Sequence, residues 1–422
     1  MNRFLAFCSA FCLLILAATR LLAQIESPLP LEATASTDAG DISGDAALGG
    51  DPSEGYAPDC GSEYYGQYGG CCLGSAWTLH QAVAPCCDHN FGGWIDAGYY
   101  SDETGLSFFA PLNDFNDNPD HLNLEQVWLY AEKVANGRAC AADWGYRVDA
   151  VYGVQAQKMQ AFGNNNGSWD NSLDHGVYGW AIPQAYGEIA YGDWSMKVGH
   201  FFNFEDYEVL PATGNFFYSH SLTFNNSGPF TYTGVLNTFK LSDETTIWGG
   251  WALGWDTGFD QFNGGSNWIG GFKTDIADDI TLAYVSSAGN FGLRSAGGPA
   301  YSQTVYTIAD LTCRMQYVFE TEYSTSDGFL DDPTFDATNV SIVNYLFYTL
   351  SDCWKAGGRV EWLKTNTITG DSTSYYELTG GVNYSASANL VIRPEIRYDW
   401  SPTEFAGDYN RAIFGIDAVM TF

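Results

Sequence analysis

The chain has 422 residues, with 17 Lys plus Arg against 50 Asp plus Glu, a formal net charge of −33, and 14 Trp, 27 Tyr, 27 Phe and 47 Gly. Such acidity argues against nucleic acid as a partner and against docking on anionic lipid. The aromatic and Gly-rich composition argues against a helical protein, and after residue 23 there is no apolar run of about 18 residues that could form a transmembrane helix.

Residues 1–23 read as a signal peptide: Asn2-Arg3 is the positive start, Phe4 to Ala18 the apolar core, and Leu21-Leu22-Ala23 precedes Gln24 as a cleavage site. Its removal takes two arginines and no acids, leaving the mature chain more acidic still. Residues 24–59 are Gly, Ala, Ser, Pro and acid, too poor in apolar side chains to fold alone, and are expected to be a flexible linker. Residues 60–91 are short and cysteine-rich, a disulfide-stapled segment expected to act as a plug or a cap. Beyond the signal peptide the cysteines are Cys60, Cys71, Cys72, Cys86, Cys87, Cys140, Cys313 and Cys353, an even set suited to an oxidising compartment. His80 and His89 flank Cys86-Cys87 and raise a zinc alternative. Adjacent cysteines lack the two-residue gap that lets paired thiolates wrap one ion, so all eight are disulfide candidates. Cys140, Cys313 and Cys353 sit in or beside short connections, which suggests that the cysteine-rich segment is clamped to those turns.

From residue 92 to 422 a rhythm sets in: about ten alternating residues, a tight polar turn, another run, then a longer loop. The tight turns include Gly192-Asp193, Ser242-Asp243-Glu244, Ala277-Asp278-Asp279, Ala309-Asp310-Leu311 and Ser351-Asp352-Cys353. Runs fall near 92–100, 122–133, 143–154, 182–191, 194–204, 231–241, 246–256, 268–276, 280–287, 303–309, 312–323, 339–350, 354–364, 374–384, 389–400 and 411–422. An even set of about 16 strands, with all long loops on one side, predicts an all-β transmembrane antiparallel up-and-down β-barrel of the outer membrane.

The faces agree. Leu390, Ile392, Pro394, Ile396, Tyr398 and Trp400 alternate with Arg393, Glu395, Arg397 and Asp399; Ile247, Trp251, Leu253 and Trp255 share one face of another run. A sheet of sixteen strands encloses a lumen too wide for side chains to fill, so the charged faces are expected inside and the apolar faces against lipid. Trp144, Trp194, Trp354, Trp362, Trp400 and Phe422 lie at or near strand ends, as membrane-interface aromatics do. The last run ends on Phe422 and resembles the C-terminal assembly signal of outer-membrane barrels, which implies the barrel assembly machinery and outer-membrane lipid as partners.

The stretches Lys197-Val198-Gly199-His200-Phe201, Tyr207-Glu208-Val209, Asn215-Phe216-Phe217-Tyr218-Ser219 and Gly228-Pro229-Phe230-Thr231-Tyr232-Thr233-Gly234-Val235 resemble the OmpL-like β-barrel porin family over about residues 92–422. The resemblance implies a passive or weakly selective pore for small hydrophilic solutes or ions, as a single chain or a homotrimer, with no cofactor. In sixteen-stranded porins the third long loop commonly turns into the lumen. Here that loop, 205–230, carries Glu205, Asp206 and Glu208, and wall residues Arg147, Lys197, Arg359, Arg393 and Arg397 would face them to give a transverse field. A substrate-specific, sugar-type channel is the alternative, with Tyr186, Trp248 and Tyr306 as stacking faces; a structural or adhesive barrel is another. Ser219, His220 and His200 are the only candidates for a hydrolytic pair, without triad spacing, so no enzyme is expected. The run Asn113 to Asp120 invites calcium but lacks a calcium-loop spacing, and no metal site is assigned to it.

Overall fold

The computed structural model describes residues 73–83, 88–104, 115–137, 141–161, 169–261, 263–330, 332–366, 370–402 and 410–422. The expected signal peptide and linker, and Cys60, Cys71, Cys72, Cys86, Cys87 and Cys140, lie outside these residues.

Among the described residues, seventeen strand segments form one antiparallel sheet. In chain order they are β1 (Asn90–Tyr100), β2 (Asn123–Lys133), β3 (Asp143–Gly153), β4 (Asp174–His175), β5 (Tyr178–Tyr191) and β6 (Trp194–Phe202). Next come β7 (Thr231–Lys240), β8 (Thr245–Trp255), β9 (Ser266–Ala277), β10 (Ile280–Asn290), β11 (Pro299–Thr312) and β12 (Met315–Ser326). The last are β13 (Ala337–Ser351), β14 (Trp354–Thr365), β15 (Thr373–Ser387), β16 (Leu390–Trp400) and β17 (Asn410–Thr421). The two-residue β4 pairs only with β5. The other sixteen follow one another around a closed barrel, sealed where β1 pairs with β17 from Trp94↔Thr421 to Tyr100↔Gly415. Closure leaves these sixteen strands paired on both sides, which a span through hydrocarbon requires.

The two faces invert the usual arrangement. On β16, Arg393, Glu395, Arg397 and Asp399 are buried while Ile396 and Tyr398 are exposed; on β14, Arg359 and Glu361 are buried and Val360 is exposed. Trp144 and Trp354 also face outward. Period-two alternation therefore separates a polar interior from an apolar exterior.

Two expectations need correction. The turn placed at Ala309-Asp310-Leu311 lies instead at Cys313-Arg314, because β11 and β12 continue to pair through Asp310↔Gln316 and Thr312↔Met315. Trp255 does not share the outward face of Trp251. The β7–β8 register shifts between Tyr232 and Gly234, and Gly254 takes a φ of +110°, so Trp255 turns inward and stacks on Phe291 at 4.0 Å.

On the side of the tight turns, Leu73 accepts from the Ala388 amide, and Trp77 exchanges bonds with the Asn389 side chain. Cys313 and Cys353, in neighbouring turns of that rim, are both disulfide-bonded.

Candidate functional site

The third long loop joins β6 to β7. Its ends are tied where the Asn203 amide donates to the Phe230 carbonyl, and nearly every residue between them is buried. Little of it is regular: one 3-10 turn at Ala212–Gly214 and a one-turn helix at Leu222–Asn226, capped by the Ser221 hydroxyl accepting from the Phe224 amide at 3.0 Å. Aromatic side chains seat it. Phe204 lies 5.8 Å from Trp248, and Phe216 lies 4.8 Å from Phe347 over Gly357, where a Cβ would run into the ring.

A buried segment with so little secondary structure leaves its amides and carbonyls to find partners elsewhere. The barrel wall supplies them. Glu320 accepts from the Tyr207 amide at 2.9 Å, Glu395 from Tyr218 and Ser219 at 3.0 and 3.2 Å, and Glu361 from Leu222 and Thr223 at 2.7 and 2.5 Å. Arg393 donates to the carbonyls of Ala212 and Asn215 at 2.8 and 2.6 Å, Arg359 to Ser219 at 2.8 Å, and Arg397 to His220 at 2.6 Å. Gln126 donates to the Leu210 carbonyl and accepts from the Ala212 amide. The contacts reach β14 and β16, about halfway round the barrel from the loop's roots.

The acids of the loop differ in environment. Glu208 faces Arg359 at 2.6 Å and His220 at 3.1 Å, and accepts from the Tyr345 hydroxyl. Burial works to raise its carboxyl, but Arg359 and His220 outweigh this and lower it to about 2. Among the described residues the Glu205 carboxylate is bonded only to hydroxyls, those of Tyr232 and Ser302, and burial pushes it up to about 7. Asp206 accepts from the Asn203 side chain, and burial, then the charges of Glu320, Glu205 and Glu208, raise it well above the usual carboxylate range.

Of the loop acids, Glu208 is the one that pairs with a wall arginine among the described residues, Arg359. Arg393 and Arg397 hold loop carbonyls and pair with Asp417 and Asp399 on the wall. Arg147 engages Glu132 and Asp149, and the Lys197 ammonium lies 4.7 Å over the Tyr186 ring. The wall carboxylates Glu320, Glu361 and Glu395, which hold the loop amides, were legible as inward-facing, but nothing in their spacing marked them as its anchors.

The remaining candidates also find places. Tyr186, Trp248 and Tyr306 do face inward, but they are buried in one cluster with Phe204 and offer no open stacking face. The Ser219 hydroxyl accepts from Arg359 and His220 turns to Glu208, while His200 lies 2.7 Å from Thr233, so no Ser–His pair forms among the described residues. In the Asn113 to Asp120 run, Asp117 pairs with Lys158 and Asp120 accepts from the Tyr99 hydroxyl.

The family model described as beta-barrel porin-2, OmpL-like, matches residues 88–422. No curated protein matches the chain by sequence. Among solved structures, the outer membrane channel DcaP of Acinetobacter baumannii is similar at 13% identity and a TM-score of 0.55, covering 79% of this chain and 97% of its own. The anion-selective porin from Comamonas acidovorans is similar at 10% identity and 0.54, covering 79% and 99%. The trimer form of OmpT, an outer membrane protein of Vibrio cholerae, is similar at 11% and 0.51, again covering 79% and 99%. At such identities the likeness is one of fold.

Proposed function

Since the chain belongs to the OmpL-like beta-barrel porin-2 family, barrels of the outer membrane, we propose that it is a passive or weakly selective pore for small hydrophilic solutes and ions, narrowed by the loop between β6 and β7. The observation that carries this reading is the inverted pair of faces on β14 and β16: a charged interior has no use in a packed core, but it suits a lumen that passes polar solutes.

Acids outnumber bases 50 to 17 over the chain, which favours cations over anions in the pore. This is the opposite sign to the selectivity described for the Comamonas acidovorans porin. Outer-membrane lipid covers the apolar exterior, and the barrel assembly machinery, recognising β17 with Phe422, inserts the chain. A homotrimer is the expected assembly, the form described for OmpT of Vibrio cholerae. A sugar-specific channel has less support, because Tyr186, Trp248 and Tyr306 are covered by the loop. An enzyme has less again, since Ser219 is engaged by Arg359.

Single-channel recording of purified protein in a planar bilayer tests the reading. Stepwise conductance is expected, with a cation-favouring reversal potential that moves toward anions in Glu205→Gln at low salt. No conductance step under any condition would overturn the pore, and an unchanged reversal potential would place Glu205 outside the conduction path.

A further inference from the structure

Directly beneath the loop, on β11 to β13, a group of buried oxygens is left without partners. Glu322 of β12 is 2% exposed, and neither of its carboxylate oxygens makes a hydrogen bond among the described residues. Its cross-strand neighbours are Thr304 of β11 and Ser341 of β13, each fully buried and each with an unpartnered hydroxyl. Directly opposed residues stand only about 5 Å apart at Cβ, so either hydroxyl could have turned to bond Glu322. Neither does.

The loop delivers a fourth member. Glu205 is bonded to Ser302 and the Tyr207 amide to Glu320, and these two anchors lie one inward-facing position above and below the Thr304 and Glu322 level. Asp206, between Glu205 and Tyr207, is therefore held at that level. One of its carboxylate oxygens is also buried and unpartnered. The acidic charges of Asp206, Glu205, Glu320 and Glu361 all act on Glu322.

We propose that Asp206, Glu322, Thr304 and Ser341 form a binding site for a hard divalent cation, calcium, that pins the loop to the wall at β11 to β13. Two carboxylates supply the charge and two hydroxyls complete an oxygen-only set, which calcium accepts with flexible geometry, whereas magnesium demands a near-ideal octahedron. The set contains only two acids, in keeping with the absence, among the described residues, of any three His, Cys, Asp or Glu grouped to hold a metal. A cavity of about 20 Å³, room for one water, lies at the next inward positions of β12 and β13 and is lined by Gly228, Ser324 and Asn339. A Cβ at Gly228 would come 3.1 Å from the other Asp206 oxygen, so the loop packs closely there. The proposal stands whether or not the barrel conducts.

The test uses the folded, detergent-solubilised protein stripped with a chelator, titrated with calcium by calorimetry and with terbium by luminescence sensitised through Tyr207 and Tyr306. One ion per chain is expected, with a raised thermal midpoint and magnesium bound more weakly. Glu322→Gln and Asp206→Asn should each weaken binding about tenfold or more, and the surface substitution Asp275→Asn should leave it unchanged. Should either carboxamide variant fail to give the heat-resistant barrel, Thr304→Val and Ser341→Ala keep the charge and should still weaken binding. Absence of binding to the wild type, or equal affinity in wild type and the folded variants, overturns the site.

Discussion

Replacing Arg359 by Gln should release the loop between β6 and β7 while leaving the barrel intact. Arg359 is fully buried on β14 and serves two sides at once: it holds Glu377 of the wall at 2.7 Å, and on the loop it holds Glu208 at 2.6 Å, the Ser219 carbonyl at 2.8 Å and the Ser219 hydroxyl at 3.2 Å. Only the loop bonds distinguish the docked from the released state. Hydrogen bonds to a charged group contribute about 1.5–3 kcal/mol each, and breaking a buried ion pair from one side costs about 3–5 kcal/mol. A loss of about 3 kcal/mol is therefore a conservative figure, corresponding to roughly a hundredfold shift toward the released loop. Amide hydrogen exchange read by mass spectrometry measures this directly. Protection at Tyr218, Ser219, Leu222 and Thr223 should fall by about that factor, and the ladder amides of β13 and β14 should keep theirs. Adding Glu208→Gln should cost less than it does alone, because the partner charge is already gone. A folded Arg359→Gln barrel with unchanged loop protection would refute the reasoning.

Glu361→Gln should weaken only the Leu222–Thr223 anchor, costing about 1.5–3 kcal/mol per charge-assisted bond lost, with faster exchange there and none at Tyr207. Val360 is half exposed on the outer face between inward Arg359 and Glu361, so Val360→Arg should lower barrel stability by about 2–4 kcal/mol in a lipid-bilayer refolding assay; a neutral result would mean that this face does not meet lipid. A side chain at Gly93 would overlap the Trp128 carbonyl and the Phe422 ring, so Gly93→Val should reduce heat-resistant migration by opening the β1 seam, while normal migration would count against the seam as described. In the loop between β3 and β5, Asp170 accepts from the Ala161 and Ile182 amides, and burial pushes it up to about 7. A carboxyl raised in the folded state favours folding while protonated and loses that contribution as pH rises. Protection of Ala161, corrected for intrinsic rates, should therefore be higher below about pH 4 than above about pH 7, with the difference absent in Asp170→Asn.

By itself the sequence determined the barrel. Period two on runs such as Leu390 to Trp400 assigns each side chain to a face with no knowledge of its neighbours, and alternating short and long connections assign the ends; both are local properties. Where local signals competed, tertiary pairing decided. Asp310 looks like a turn residue, yet it stays in β11 because its amide joins the Asp279 carbonyl and its carboxylate accepts from Gln316. Trp255 continues an alternation that a bulge at Gly254 then breaks. The loop shows the limit most clearly. Its acids and the wall's charges were both legible, but not which would meet, since Leu222 and Glu361 are 139 residues apart and Tyr218 and Glu395 are 177 apart. Alternation says that Glu322 points inward; only the register of β11 to β13 sets it between Thr304 and Ser341, and only the depth of the loop bonds Glu205 to Ser302 and the Tyr207 amide to Glu320. That depth is fixed by hydrogen bonds to strands across the lumen, and no local pattern encodes a partner at such a distance.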